Sequence, residues 1–303
     1  MAPPSTILVV GATGKQGGAV IEELLKLPSP PAKILALTRD SNSAKAKALE
    51  ASKPGVISLV QGDITAPEPV FAGLEKASVD AVFVVTLPGK VGEDKQAIPF
   101  IDAAVAHGVK HVVFTSVERG GDEHSWNNPT NIKHFYEKHA VELHIRDKAA
   151  DGSFTWTILR PTAFLDNFNP GGFGSMFPAM WTASLSPDRK LQLVSVHDIG
   201  VFAAKALMDP TTWAGRAVGL AGAEITLDEA KAQFKKVMSK DLPQGWTIIA
   251  RGILWGISEV GAMFTFFEKE GYKADIPALK KELPSLQDFE TWLKESSKWK
   301  NES

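Results

Sequence analysis

The sequence predicts an α/β fold, a doubly wound parallel sheet with a smaller, mostly helical C-terminal cap. Three observations carry this. The apolar run Ile7 to Val10 enters a glycine turn and emerges into a helical pattern. Short apolar runs then alternate with helical periodicity as far as Ser116. Beyond residue 125 the pattern loses regularity, and all eight tryptophans lie there. Such alternation implies parallel strands joined by right-handed crossovers, with helices on both faces.

Ile7 to Val10 is the first strand, and Val20, Ile21, Leu24, Leu25 and Leu27 mark the helix after it. Between them Gly11, Gly14 and Gly17 recur every three residues. Gly11 turns the chain, Gly14 lets a phosphate approach the backbone, and Gly17 permits close helix–strand packing. Unpaired N–H groups and the positive end of the helix dipole meet there, which suits a pyrophosphate. Gly11, Ala12, Thr13, Gly14, Lys15, Gln16 and Gly17 are therefore candidate dinucleotide-binding residues in a Rossmann-type fold.

Ile34 to Thr38 is the second strand, followed by Arg39 and Asp40. An arginine here accommodates a ribose 2′-phosphate and an acid takes the 2′-hydroxyl, so NADP(H) is favoured over NAD(H). Asp40 then reads as the cap of a helix over Ala44 to Ala51. A third strand, Val56 to Gln61, delivers Asp63 and Ile64. Asp63 either accepts from an adenine amino group while Ile64 packs on the ring, or stabilises its own turn. A helix over Glu68 to Ala77 and a strand over Ala81 to Val85 follow, and Thr86 opens the next loop. Ile98, Ile101, Ala104 and Val105 have helical spacing. Lys95 opposes the dipole in that helix's first turn, so it either faces an anionic ligand or is an ordinary solvated lysine. His111 to Ser116 is the fifth strand. Gly11, Arg39, Asp63, Thr86 and Ser116 thus all fall at strand carboxyl ends, where ligands bind in this architecture.

With 303 residues the chain accommodates one large domain or two coupled ones. Its 44% hydrophobic and 22% charged content is that of an ordinary globular protein. A net charge of −2 offers no basic field for direct nucleic-acid binding. The absence of cysteine excludes disulfides, thiolate catalysis and cysteine-bound zinc, and no metal site is expected. Met1 to Thr6 lacks the features of a signal peptide. Ile248 to Phe267 is apolar, but Arg251 and Glu259 argue for a helix on the core or over a cleft rather than a membrane span. The cytoplasm, with the nucleus as a second location, is expected. The sequon Asn301-Glu302-Ser303 reads as an accident at a frayed end that begins at Lys298.

A polar, helix-poor loop extends from Ser116 to Pro129, and Thr130 to Asp151 has helical periodicity. An ordinary short-chain dehydrogenase places a tyrosine and a lysine four residues apart on this helix. Here Tyr136 and Tyr272 precede Ala140 and Ile276 at that spacing, so the pair is absent. His134 and Lys138 do have it. An imidazole at the donor's station and Lys138 on the nicotinamide ribose are the candidate catalytic groups. His139 and His144 read as surface.

The chain resembles the NmrA-like family of atypical short-chain dehydrogenase/reductase relatives. The matching segments are Val9-Val-Gly-Ala-Thr-Gly-Lys-Gln-Gly-Gly18, Leu37-Thr-Arg39, Gly62-Asp63, Glu93-Asp-Lys-Gln96 and Gly108-Val-Lys-His-Val-Val-Phe-Thr-Ser116. They continue with His134-Phe-Tyr-Glu-Lys138, Leu159-Arg-Pro-Thr-Ala-Phe-Leu-Asp-Asn167 and Val196-His-Asp-Ile-Gly200. The resemblance implies NADP contacts from Gly11 to Gly17, Arg39, Lys138 and Phe164, Leu165, Asp166 and Asn167, with Lys95 as a weaker addition. It also implies dinucleotide binding that often proceeds without turnover.

Phe154 to Arg160 is a sixth strand. Pro170 to Pro178 reads as a glycine-rich loop whose Phe173 and Phe177, flanked by Phe164, Phe168 and Trp181, form either a lid over a planar ligand or the core of a cap. Val201 to Met208 and Ala217 to Leu220 return to the main sheet. The expected domains are 1–160, rejoined by 190–222, and 161–303. Thr226 and Glu229 form a capping box. Helices are expected over Ile253 to Phe267 and Leu286 to Trp299. Two functions fit: an NADP sensor that changes its binding to a regulatory protein partner, favoured by the resemblance, or an NADPH-dependent reductase of a small aromatic substrate.

Overall fold

The computed structural model describes residues 3–301. Strand and helix alternate through β1 (Thr6–Val9), α1 (Lys15–Lys26), β2 (Lys33–Thr38), α2 (Ala44–Ser52), β3 (Ile57–Gln61), α3 (Pro67–Ala72), β4 (Ala81–Val84), α4 (Glu93–His107) and β5 (His111–Thr115). Next come α5 (Asp122–Ser125), α6 (Lys133–Lys148), β6 (Thr155–Pro161), β7 (Ala163–Phe164), α7 (Gly172–Ser184), β8 (Leu191–Val194) and α8 (Val196–Met208). The chain continues through α9 (Pro210–Trp213), β9 (Arg216–Leu220), β10 (Ala223–Ile225), α10 (Leu227–Met238), α11 (Thr247–Gly256), α12 (Ser258–Lys269), α13 (Ile276–Glu282) and α14 (Phe289–Glu295). Two compact units result. One comprises the chain up to Ser116, Tyr136–Arg160 and Ile199–Val218; the other comprises Val117–Phe135, Pro161–Asp198 and the chain from Gly219 onward.

The first unit is built on a seven-stranded sheet of order β3-β2-β1-β4-β5-β6-β9. The neighbours from β3 through β6 pair in parallel. Strand order reverses beside β1, the position where this architecture opens a ligand crevice. Leu35, Leu8, Val82 and Val112 lie in register across four strands and bury against Phe71, Phe100, Ile101, Val141 and Ile145. Gly11 has a φ of +64°, a value that L side chains adopt at a steric cost. At Gly17 a Cβ would land on the carbonyl oxygen of Gly11 and lie 2.8 Å from that of Val10. Only hydrogen fits between α1 and the end of β1.

Several expectations need correction in this unit. The helix after β3 stops at Ala72, because Gly73 follows it and Ala77 turns left-handed with φ 58°. Ser43, not Asp40, caps α2 by accepting from the Ala46 N–H, while Asp40 closes a turn onto the Asn42 N–H at 2.9 Å. His139 is buried, and His144 bonds Asp102 at 2.8 Å.

The second unit holds a small sheet of order β10-β8-β7, with β8 antiparallel to β10 and parallel to β7. The segment expected as a glycine-rich loop over Pro170 to Pro178 is largely helix α7, with Pro178 inside it. Its aromatic residues build a core: Phe168 meets Phe177 edge-on at 5.1 Å and Phe289 at 5.2 Å. Phe173 alone of that cluster is exposed. The expected helix-poor loop from Ser116 to Pro129 contains α5 and is stapled by two fully buried side chains. Glu118 accepts from the N–H groups of Gly120, Gly121 and Lys273, and Arg119 donates to the carbonyls of Val117, Ser125 and Asn128.

Helix α10 opens on the Thr226–Glu229 capping box. The apolar stretch Ile248 to Phe267 is two helices, α11 and α12, bent by 107°; among the described residues no single helix is long and apolar enough to cross a membrane. The last expected helix is confined to α14. Lys298–Asn301 is a 3-10 turn whose Trp299 indole donates to the Phe168 carbonyl at 2.8 Å, so that part of the end does not fray. The sequon runs on to Glu302 and Ser303, outside the described residues, as are Met1 and Ala2 of the amino-terminal reading.

Two outcomes test this packing. Gly17→Ala should lower the melting temperature by several degrees, since overpacking against backbone costs about 1–3 kcal/mol; differential scanning calorimetry measures it. Burial lowers the pKa of His111 from 6.5 to about 4, against the opposing hydrogen bonds of Ala206 and Thr155. The unfolded chain therefore binds the extra proton between those values, and stability falls as pH drops from 6.5 toward 4 by up to about 3 kcal/mol from this group. Urea unfolding against pH should show that slope, reduced in His111→Gln.

Candidate functional site

The glycine turn leaves the amino end of α1 uncapped by any side chain. Gly14 is its N-cap, and the Gly14 N–H closes the turn onto the Gly11 carbonyl at 2.8 Å. The first-turn amides have no helical acceptor. Gly14 and Lys15 are exposed, Thr13 and Gln16 half-buried, and Ala12 and Gly17 buried, so the turn's outer edge faces solvent. Lys45 of α2 donates to the Thr13 carbonyl at 3.0 Å, and Gln16 accepts the Thr115 hydroxyl at 2.8 Å. Both contacts join residues far apart in sequence, and periodicity gave no sign of them.

Arg39 follows β2 and is exposed. Asp63 stabilises its own turn: one oxygen accepts from both the N–H and the hydroxyl of Thr65 at 2.8 Å. Those bonds, with Arg39 as the smallest contribution, outweigh partial burial and hold its carboxyl below the ordinary range. Ile64 packs partly buried on the sheet's core. Lys95 is exposed on α4. The next residue, Gln96, pins the loop after β4 by bonding both the N–H and carbonyl of Leu87 and the carbonyl of Val91.

Lys138 is buried beneath the ends of β4 and β5. Its ammonium lies 2.8 Å from Glu93 Oε2, 3.0 Å from Thr86 Oγ1 and 3.2 Å from the Thr115 carbonyl. The Thr86 hydroxyl donates to the same Glu93 oxygen. An ammonium has three donors, and all three are engaged. Glu137 accepts the Glu93 N–H at 2.9 Å, which caps α4 from α6. The other Glu93 oxygen, Oε1, is buried with no partner.

In the second unit, His134 is held by Glu259. A single carboxylate oxygen accepts from the His134 N–H at 3.0 Å and lies 2.5 Å from Nδ1. Burial alone would raise the Glu259 pKa; the bonds from the His134 ring and main chain, then the charges of His134 and Lys133, bring it below the ordinary value. The carboxylate is thus ionised near neutrality and fixes the imidazole with Nδ1 engaged. Glu259 entered the sequence reading only as a charge unsuited to a membrane. Phe164 ends β7, and Leu165, Asp166 and Asn167 form the 3-10 turn after it. Leu165 is fully buried, and Asp166 accepts the Val196 N–H at 2.9 Å. Among the described residues, no group of three or more acidic or histidine side chains is arranged to hold a metal.

Known proteins share this chain's architecture. An NmrA-like family domain-containing oxidoreductase of Cladobotryum sp is 27% identical over 326 residues, covering 96% of this chain and 90% of that one. The crystal structure of a Citrobacter sp. triphenylmethane reductase complexed with NADP(H) superposes with a TM-score of 0.73 at 21% identity, covering 96% of this chain and 99% of that one. NmrA, a negative transcriptional regulator solved in complex with NAD, gives 0.74 at 17% identity, over 98% of this chain and 97% of its own. At such identities the two structures show a shared fold. The family model described as "NmrA-like family" matches residues 3–293, nearly the whole length, and this chain belongs to the NmrA-like family.

Proposed function

We propose that this protein is an NADP(H)-dependent reductase of a hydrophobic, planar carbonyl, enal or imine compound, with His134 as its proton donor. The observation that carries the reading is the His134–Glu259 bond, a carboxylate-oriented imidazole one helical turn before Lys138 on α6. The residues present fit a dinucleotide. The hydrogen-only gap at Gly17 keeps the α1 amides at the crevice, and the unpartnered Glu93 Oε1 marks polar capacity that the fold itself does not use. The first unit is the dinucleotide-binding body.

The α1 amides take the pyrophosphate, Arg39 the 2′-phosphate, and Lys138 the nicotinamide ribose. Lys15, Asp63, Thr86 and Lys95 are further candidate contacts, and Phe164 to Asn167 are assigned to NADP by resemblance. Bound NADPH supplies a hydride to the substrate's electrophilic carbon. His134 then gives its proton to the developing oxygen or nitrogen anion and regains one from solvent, Glu259 holding the ring throughout. The sensing alternative needs a segment with two arrangements. The stapled Glu118–Arg119 loop and the aromatic core around Phe177 do not favour one.

Purified protein with NADPH and a panel of aromatic ketones, enals and imines should show steady loss of nicotinamide absorbance. His134→Ala should lower kcat by about 10²-fold or more, leaving NADPH affinity intact. Tight NADPH binding without turnover across the panel would instead favour sensing. Arg39→Ala should weaken NADP by about tenfold or more and NAD little, given the strength of charge-assisted phosphate bonds; equal losses by calorimetry would misplace the 2′-phosphate site.

A further inference from the structure

Glu93 carries more than a counter-charge. It is 0% exposed and contributes one oxygen to both Lys138 and Thr86, while its other oxygen is buried and unpaired. A site selected for stability alone would satisfy that acceptor or replace the pair with apolar groups, since buried ion pairs stabilise little against their desolvation. The carboxylate is itself held in place. Its main-chain N–H is taken by Glu137, the residue next to Lys138 on α6, so the two ends of the pair are tied through both α4 and α6. Of the three acceptors around the ammonium, two belong to the Glu93–Thr86 assembly and are shorter. The third, the Thr115 carbonyl, is the longest at 3.2 Å.

We infer that Glu93 is a positioning residue for dinucleotide binding: with Thr86 it anchors the Lys138 ammonium by two donors, so that the third exchanges the Thr115 carbonyl for a hydroxyl of the nicotinamide ribose. The inference rests on the dinucleotide reading above. It assigns Glu93 to the nicotinamide half of the ligand only, acting through Lys138. Loss of the carboxylate leaves the buried ammonium uncompensated and free to swing away from the ribose.

The test is a set of fluorescence titrations on the full chain with NADPH and with adenosine 2′,5′-bisphosphate, which lacks the nicotinamide ribose. Glu93→Gln should weaken NADPH at least tenfold and leave the bisphosphate within twofold of wild type. Glu93→Asp should recover most of the loss. Lys138→Met should weaken NADPH, and adding Glu93→Gln to it should produce no further loss. NADPH affinity unchanged in Glu93→Gln, losses that add in the double variant, or an equal loss for the bisphosphate would each overturn the inference. Should Glu93→Gln fail to fold, the cycle of Thr86→Val with Lys138→Met carries the comparison: Thr86→Val removes the other half of the anchor and should weaken NADPH alone but add nothing to Lys138→Met, and additive losses would overturn the inference. Wild type that binds the bisphosphate but not NADPH removes the ribose contact alone, whereas wild type that binds neither removes the dinucleotide reading itself.

Discussion

The contact on which the first unit depends is the one at Gly17, where α1 crosses the end of β1 with room for hydrogen only. That approach fixes where the helix's amino end points. Because β1 sits at the reversal of strand order, the uncapped turn opens at the crevice and not over a sheet face. Parallel pairing does the rest. Each further strand ends on the same edge, so Arg39, Asp63, Thr86 and Thr115 arrive there together. The Gln16–Thr115 and Lys45–Thr13 bonds then lock the turn to its neighbours.

Helix α6 makes the opposite kind of contribution. Its buried face is largely polar: Glu137, Lys138, His139 and Glu142 are all at or below 9% exposed. Arg146 bonds its neighbour Asp147, but other charged groups of this helix find partners on different elements. His134 meets Glu259 of α12, Glu137 caps α4, Lys138 pairs with Glu93, Glu142 with Arg160 of β6, and His144 with Asp102 of α4. Removing one member of such a pair costs more than the pair gains, because a desolvated charge is left behind. The helix is therefore held in one rotation by electrostatics, where an ordinary amphipathic helix is held by a greasy stripe.

That contrast explains which parts of the protein the sequence disclosed. Apolar periodicity located the five strands to Thr115, the helices between them and the edge on which the candidate site lies, because burial there is hydrophobic. The Thr226–Glu229 box was legible because capping is local. Polar burial left no such trace. Glu93 and Lys138, or His134 and Glu259, are far apart in sequence and unremarkable in composition; likewise Glu118 and Arg119 fell within a polar loop and His139 read as surface, when all three are interior. Pro170 to Pro178 was misjudged for a related reason. Glycine and proline are breakers in isolation, but the buried packing of Phe177 and Trp181 outweighs those propensities in α7.

The two ends of the candidate dinucleotide site differ in their physics as well as their chemistry. Arg39 is exposed, a cation whose attraction for phosphate falls off within a Debye length of about 8 Å at physiological salt. Lys138 and Glu93 are shielded from solvent and from its ions, so their geometry is set by the fold rather than by the medium. Ionic strength would thus act on the attraction of Arg39 for a phosphate and hardly on the geometry of Lys138 and Glu93. A ligand can be admitted with an affinity that the medium adjusts while its ribose is held in a fixed pose. On the proposed dinucleotide reading, the exposed arginine would govern which dinucleotide enters and the buried pair how it sits.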